Sequence, residues 1–136
     1  MAPFLLLPLL AGMAQAAPTG TAAEPRVATF VVERRADGTV GGAAAMMHLR
    51  LAVLGNCVLV RGEGGEEIVP VFSAGSASWD PGARRLSYSG RLYAVGDIVP
   101  IGGGGVNPAM IPTILRSPLV DVPSDCPTSR LWFSAG

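Results

Sequence analysis

Beyond residue 25 the apolar residues fall in short runs, some continuous and some at every second position, separated by glycine and proline. A period of two is the mark of a strand with one face turned inward. Residues 26–33 read as the first such strand, with Val27, Thr29 and Val31 on one side and Ala28, Phe30 and Val32 on the other. Ala36-Asp37-Gly38 supplies turn chemistry after it. Residues 42–54 admit two readings. Ala43-Ala44-Ala45-Met46-Met47 has high helix propensity, and Met46, Leu49 and Val53 would make a helical stripe. Met47, Leu49, Leu51 and Val53, however, alternate with His48 and Arg50, and Gly41-Gly42 is a poor helix start. A strand from about Met46 to Leu54 is expected, with a helix as the alternative.

Later segments carry further strand signals. Residues 57–60 and 67–72 flank a polar, glycine-rich stretch (61–66) that reads as a hairpin loop. Pro70 has no amide to donate, which predicts a sheet edge or a bulge at that point. Trp79-Asp80-Pro81-Gly82 predicts a turn, and residues 85–88 and 91–95 predict a hairpin about Ser89-Gly90. Gly96-Asp97 breaks the run before residues 98–101, and the glycine run 102–105 reads as a flexible or tightly curving connector that ends it. Pro108, Pro112, Pro118, Pro123 and Pro127 forbid a long helix over 106–128 and predict an extended, irregular crossing. Residues 129–133 then form a last strand. The expected fold is mostly β: a small antiparallel β-barrel (OB-like) or a sandwich, forming one domain over residues 26–136.

The N-terminal region changes the picture. Phe4-Leu5-Leu6-Leu7-Pro8-Leu9-Leu10-Ala11 is an apolar core followed by the small-x-small site Ala14-Gln15-Ala16, so residues 1–16 read as a signal peptide. The rival is an uncleaved anchor. Pro8, Gly12 and Gln15 interrupt it, and the run falls short of the ~20 apolar residues a spanning helix wants. Residues 17–25 have linker composition and are expected to be disordered. Export to a secreted or periplasmic location makes Cys57 and Cys126, the two cysteines of the chain, expected disulfide partners. Closing a loop of roughly 70 residues removes denatured-state entropy equivalent to about 4 kcal/mol in the chain-entropy model.

Charge narrows the function classes. Ten cations, all Arg, balance ten carboxylates, and no more than two cations are adjacent. A nucleic-acid partner would call for a basic face, so none is expected. No C-x-x-C occurs and there is one histidine, so no metal site or cofactor is expected either. After signal cleavage no later stretch is long and apolar enough to span a membrane, which leaves an unknown ligand or an envelope protein as the expected partner.

Candidate chemistry is sparse. His48, the single histidine, must serve any His-dependent catalysis, yet no nucleophile elbow accompanies it. An outward-facing strand histidine is the plainer reading. Gly103, within the glycine run, and Asn107 just after it form a weak ligand candidate, since bare backbone permits close approach. The run lacks a following helix or Lys for a phosphate cradle. Trp79 beside its turn is either an exposed ligand contact or a lid folded over a barrel end. Tyr93 is a further aromatic candidate for ligand binding. The acidic residues are scattered over different turns and read as solvated charge.

Gly55-x-Cys57-Val58-Leu59, Val69-Pro70-Val71-Phe72, Trp79-Asp80, Tyr93-x-Val95-Gly96-Asp97-x-Val99, the glycine run 102–105 and Pro123-x-x-Cys126-Pro127 together resemble a recurrent pattern in uncharacterised small exported bacterial β-barrel proteins. The resemblance covers residues 50–134. It implies export and a compact β-fold, and it implies no reaction. The leading expectation is therefore a non-enzymatic exported barrel with a binding or envelope-structural role. One alternative is a small hydrolase or carbohydrate-active enzyme using His48 or a carboxylate pair. Another is an inhibitor or adhesin presenting the 75–82 or 102–112 loop.

Overall fold

The computed structural model describes residues 24–31 and 45–135. The expected signal peptide (1–16), most of the expected linker (17–23), the expected turn at 36–38 and residues 42–44 lie outside the described residues. Ten strands are described: β1 (Ala28–Phe30), β2 (Ala45–Leu54), β3 (Cys57–Arg61), β4 (Glu67–Ser73), β5 (Ala77–Asp80), β6 (Arg85–Tyr88), β7 (Arg91–Ala94), β8 (Ile98–Gly105), β9 (Val120–Asp121) and β10 (Leu131–Ser134). A 3-10 turn over Pro108–Met110 leads into the one-turn helix α1 (Ile111–Leu115). No helix among the described residues is long and apolar enough to cross a membrane. The ambiguous segment is a strand, as its alternation predicts.

Strands β2, β3 and β4 form an antiparallel meander, and β8 pairs antiparallel with β2 and with β10. Strand β10 then runs parallel to β4, matching Leu131 to Val69 and Phe133 to Val71, which closes a five-stranded barrel. This is an OB-like barrel rather than a sandwich. Closure removes the unpaired edges that an open sheet would present.

Pro70 is neither on an edge nor at a bulge. It is fully buried and lies opposite Trp132 of β10. The Val69 amide donates to Arg130 O on the β10 side at 3.0 Å, so the next amide position faces the other edge. On that edge β4 leaves β3 after Ile68 and is met by β1 from Val71 onward. Proline therefore occupies the seam where one partner strand gives way to another, where a missing donor costs no ladder bond.

Cross-strand register divides the side chains into two sets. Met47, Leu49, Leu51, Val58, Val60, Phe72, Val99, Ile101 and Trp132 share the inner face and form one core. Trp79, Leu86, Tyr88 and Tyr93 of the β5–β6–β7 meander pack onto the same core, with Tyr88 meeting Phe72 at a centroid distance of 5.0 Å. A second sheet reaches the inner face of a closed barrel only through an open end, so the meander covers one mouth. Ser89 (φ 54°) and Gly90 (φ 78°) make the tight turn between β6 and β7, with the two positive angles that match a hairpin's twist.

The glycine run is not a connector. It is the second half of β8, paired to β2 on one side and β10 on the other. Gly105 lies opposite Trp132, Gly104 opposite Phe133 and Gly103 opposite Ser134. The inward positions Gly103 and Gly105 leave room for the Trp132 indole. A Cβ on Gly103 would stand 3.0 Å from Trp132 Nε1 and collide with the Phe133 carbonyl, and its φ of +149° disfavours side chains besides. Glycine here fits a large residue against bare backbone.

A second apolar cluster covers part of the barrel's outside. Cys57, Leu59, Val69, Val71 and Leu131 point outward and are covered by Ala28 and Phe30 of β1, by Ile111 and Ile114 of α1, and by Val106, Val120 and Val122. Residues 106–128 thus cross the barrel wall, as the prolines predict, with one helical turn on the way. Two fastenings hold this crossing down. Cys57 and Cys126 form the expected disulfide, with Cα atoms 5.0 Å apart. Beside it, Asp125 Oδ2 accepts from the Asn56 amide at 2.8 Å, and the Asp125 amide donates back to Asn56 Oδ1 at 2.9 Å.

Candidate functional site

The structure separates the sequence candidates. Asn107 caps the 3-10 turn, its Oδ1 accepting from the Ala109 amide at 3.0 Å. Gly103 is buried between β10 and the Trp132 indole, and its inner face is filled. Trp79 belongs to β5, half-buried against the barrel core, with the Arg84 guanidinium 5.9 Å from its ring centroid. It is a lid, and the turn itself begins at Pro81, with Asp80 Oδ1 accepting from the Gly82 and Ala83 amides. Both candidate display loops are partly built into the fold, while residues 81–82 and 107–110 stay exposed. Residues 77–80 pair in the meander, residues 102–105 pair in β8, and Ile111 is buried against the outer cluster.

His48 is exposed on the outer face of β2, opposite Pro100 of β8. It makes no hydrogen bond to a serine or carboxylate among the described residues. The hydrogen-bonded relay that would make it a general base is therefore not assembled there. Among the described residues no three His, Cys, Asp or Glu side chains gather in a way that could hold a metal ion.

Tyr93 reaches a recess. A groove of about 510 Å³ is lined by Tyr88, Ser89, Arg91 and Tyr93 of the β6–β7 hairpin, by Met46 of β2, and by Pro100 and Gly102 of β8, with Ala135 at one end. Its volume lies within the range of small-molecule sites. Local geometry explains the first wall. Tyr88 pairs with Arg91 across the two-residue turn and Tyr93 follows at the next position of the same face, so all three project together. Register explains the second. Met46 pairs with Gly102 and His48 with Pro100, so the outer face of β2–β8 supplies an apolar floor, with His48 just outside it.

The polar groups of the groove are of two kinds. The Tyr88 hydroxyl shares a hydrogen bond with Ser134 Oγ at 3.3 Å, which ties the hairpin to β10. Tyr93 is only 8% exposed, and its hydroxyl has no hydrogen-bond partner among the described residues. Arg91 is exposed and likewise makes no ion pair or hydrogen bond there. Arg91, Tyr88, Met46 and Pro100 were not among the sequence candidates. The alternation around Ser89-Gly90 carries the signal for the two hairpin residues. Nothing local carries it for Met46 and Pro100, which depend on the β2–β8 register. In comparisons with known proteins, no family model, curated protein or solved structure matches this chain.

Proposed function

We propose that this protein is an exported, non-enzymatic binding domain, secreted or periplasmic, whose ligand seat is the groove between the β6–β7 hairpin and the outer face of β2–β8. The observation that carries this reading is the pair of donors on one groove wall, the Arg91 guanidinium and the Tyr93 hydroxyl, neither of which has a partner among the described residues. Export is supported by the signal-like residues 1–16, by the likeness to small exported bacterial barrels, and by the Cys57–Cys126 bridge, since such bridges persist in oxidising compartments. A binding role draws on the groove's volume and on the absence of an assembled relay at His48 among the described residues.

The test pairs localisation with mapping. Mass analysis of the protein recovered from fractionated cells is expected to give a chain starting at Ala17 with both cysteines bridged. A reduced cytosolic protein retaining Met1 refutes export. Amide spectra recorded against a mixed small-molecule library are expected to move at Met46, Tyr88, Arg91 and Tyr93. Saturable shifts confined to another surface refute the groove.

A further inference from the structure

We infer that the groove takes a carboxylate carried on an apolar body, with the Arg91 guanidinium pairing to the carboxylate and the Tyr93 hydroxyl donating to it. The inference rests on the groove being the ligand seat. Charge sets the first limit. Arg91 is the one formal charge among the lining residues, and no acidic side chain lines the groove to neutralise it. One guanidinium balances a monoanion, and its fork of N–H groups matches a carboxylate's two oxygens. Arg91 and Tyr93 lie two apart on β7, so they leave the same face about 7 Å apart along the strand. A long arginine side chain and a phenol at that spacing converge on one small anion.

Donor supply sets the second limit. A phosphate dianion is usually held by several convergent backbone amides or a helix N-terminus. Here Gly102 sits inside β8 opposite Met46 of β2, and its carbonyl is taken by the Ala135 amide at 2.8 Å. The remaining wall is Met46, Pro100, Ala135 and tyrosine ring edges, which suits an apolar body. Stacking ligands fit poorly. Tyr88 and Tyr93 are 7% and 8% exposed, leaving no open ring face for a sugar or a nucleobase. Met46, at 57% exposure, provides an unbranched, adaptable side chain along the apolar side.

Two sources carry this chemistry: a free apolar acid and the C-terminus of an apolar peptide. Titrations followed by amide spectra would compare octanoate with octanamide, and a short Ala-Leu-Val peptide with its C-terminal amide. At least one free acid is expected to saturate, moving Arg91, Tyr93 and Met46, while its amide does not. Octanoate alone binding assigns a free acid, and the peptide alone binding assigns a chain terminus. Arg91→Gln and Tyr93→Phe are each expected to weaken the acid about tenfold or more, since each removes a hydrogen bond to a charged group. Both variants should keep the wild-type melting temperature within a few degrees, which separates lost binding from lost fold. Equal binding of acid and amide overturns the inference, as does acid binding indifferent to both variants. If neither acid binds while neutral library compounds still move the groove residues, the carboxylate assignment falls and the ligand seat stands. If nothing moves them, both fall.

Discussion

The barrel has two outer walls, and they have opposite fates. Strands β3, β4 and β10 turn Leu59, Val71 and Leu131 outward, and that wall is sealed beneath β1, α1 and the proline-rich crossing. Strands β2 and β8 turn Met46, His48, Arg50 and Ile98 outward, and these stay exposed. The difference is written in the alternation. Cys57-Val58-Leu59-Val60 and Val69-Pro70-Val71-Phe72 are apolar without a break and buried throughout. Met47-His48-Leu49-Arg50-Leu51 alternates and is buried on one side only. An uninterrupted apolar strand announces cover on both faces, whereas an alternating one announces a solvent wall. The groove opens where the bare wall meets the hairpin that covers the barrel's mouth.

The largest blow to this contrast should come from Cys57→Ala. Losing the bridge frees a separation of 69 residues and loosens the cover from its wall, at a cost of about 4 kcal/mol in the chain-entropy model. Calorimetry is expected to show the melting temperature falling by roughly 10–20 °C, with binding measured well below that temperature intact. A variant melting with the wild type would mean that the crossing holds without its staple.

Leu59→Ala comes next. Leu59 is fully buried although it points out of the barrel, so its truncation should cost about 3 kcal/mol in denaturant unfolding. A change below about 0.5 kcal/mol would show that the second cluster contributes no real packing. The smallest effect is expected on the bare wall. His48→Ala should move stability by no more than about 0.5 kcal/mol, and should leave the groove's affinity for its ligand within a factor of two or so. A loss comparable to that of Leu59→Ala would mean that the bare wall is covered in solution.

Much of the fold was legible because its signals are local. The hairpins about residues 61–66 and Ser89-Gly90, the broken helix potential of 106–128 and the Cys57–Cys126 pair all follow from turn residues, proline spacing and cysteine count. Pro70 and the glycine run escape a local reading for a shared reason. What each does to an isolated segment differs from its role here, which depends on a neighbour. Pro70 fits because two partner strands exchange beside it, and Gly103 fits because Trp132 and the Phe133 carbonyl press against it. The candidate site was legible to the extent of Tyr93. Its neighbour Arg91 was within reach of the same alternation argument, and the opposite wall was not.

By itself the sequence determined that this chain builds short strands, where most of them turn, and which two sulfurs would meet, since period, turn chemistry and residue count act over a few positions. Tertiary structure decided between the barrel and the sandwich that the sequence both allowed, and decided that one wall is roofed and the other left open and that Met46 and Pro100 face Arg91 and Tyr93. Those outcomes depend on register between segments some fifty residues apart, and a slip of one residue would turn each strand's inner face outward.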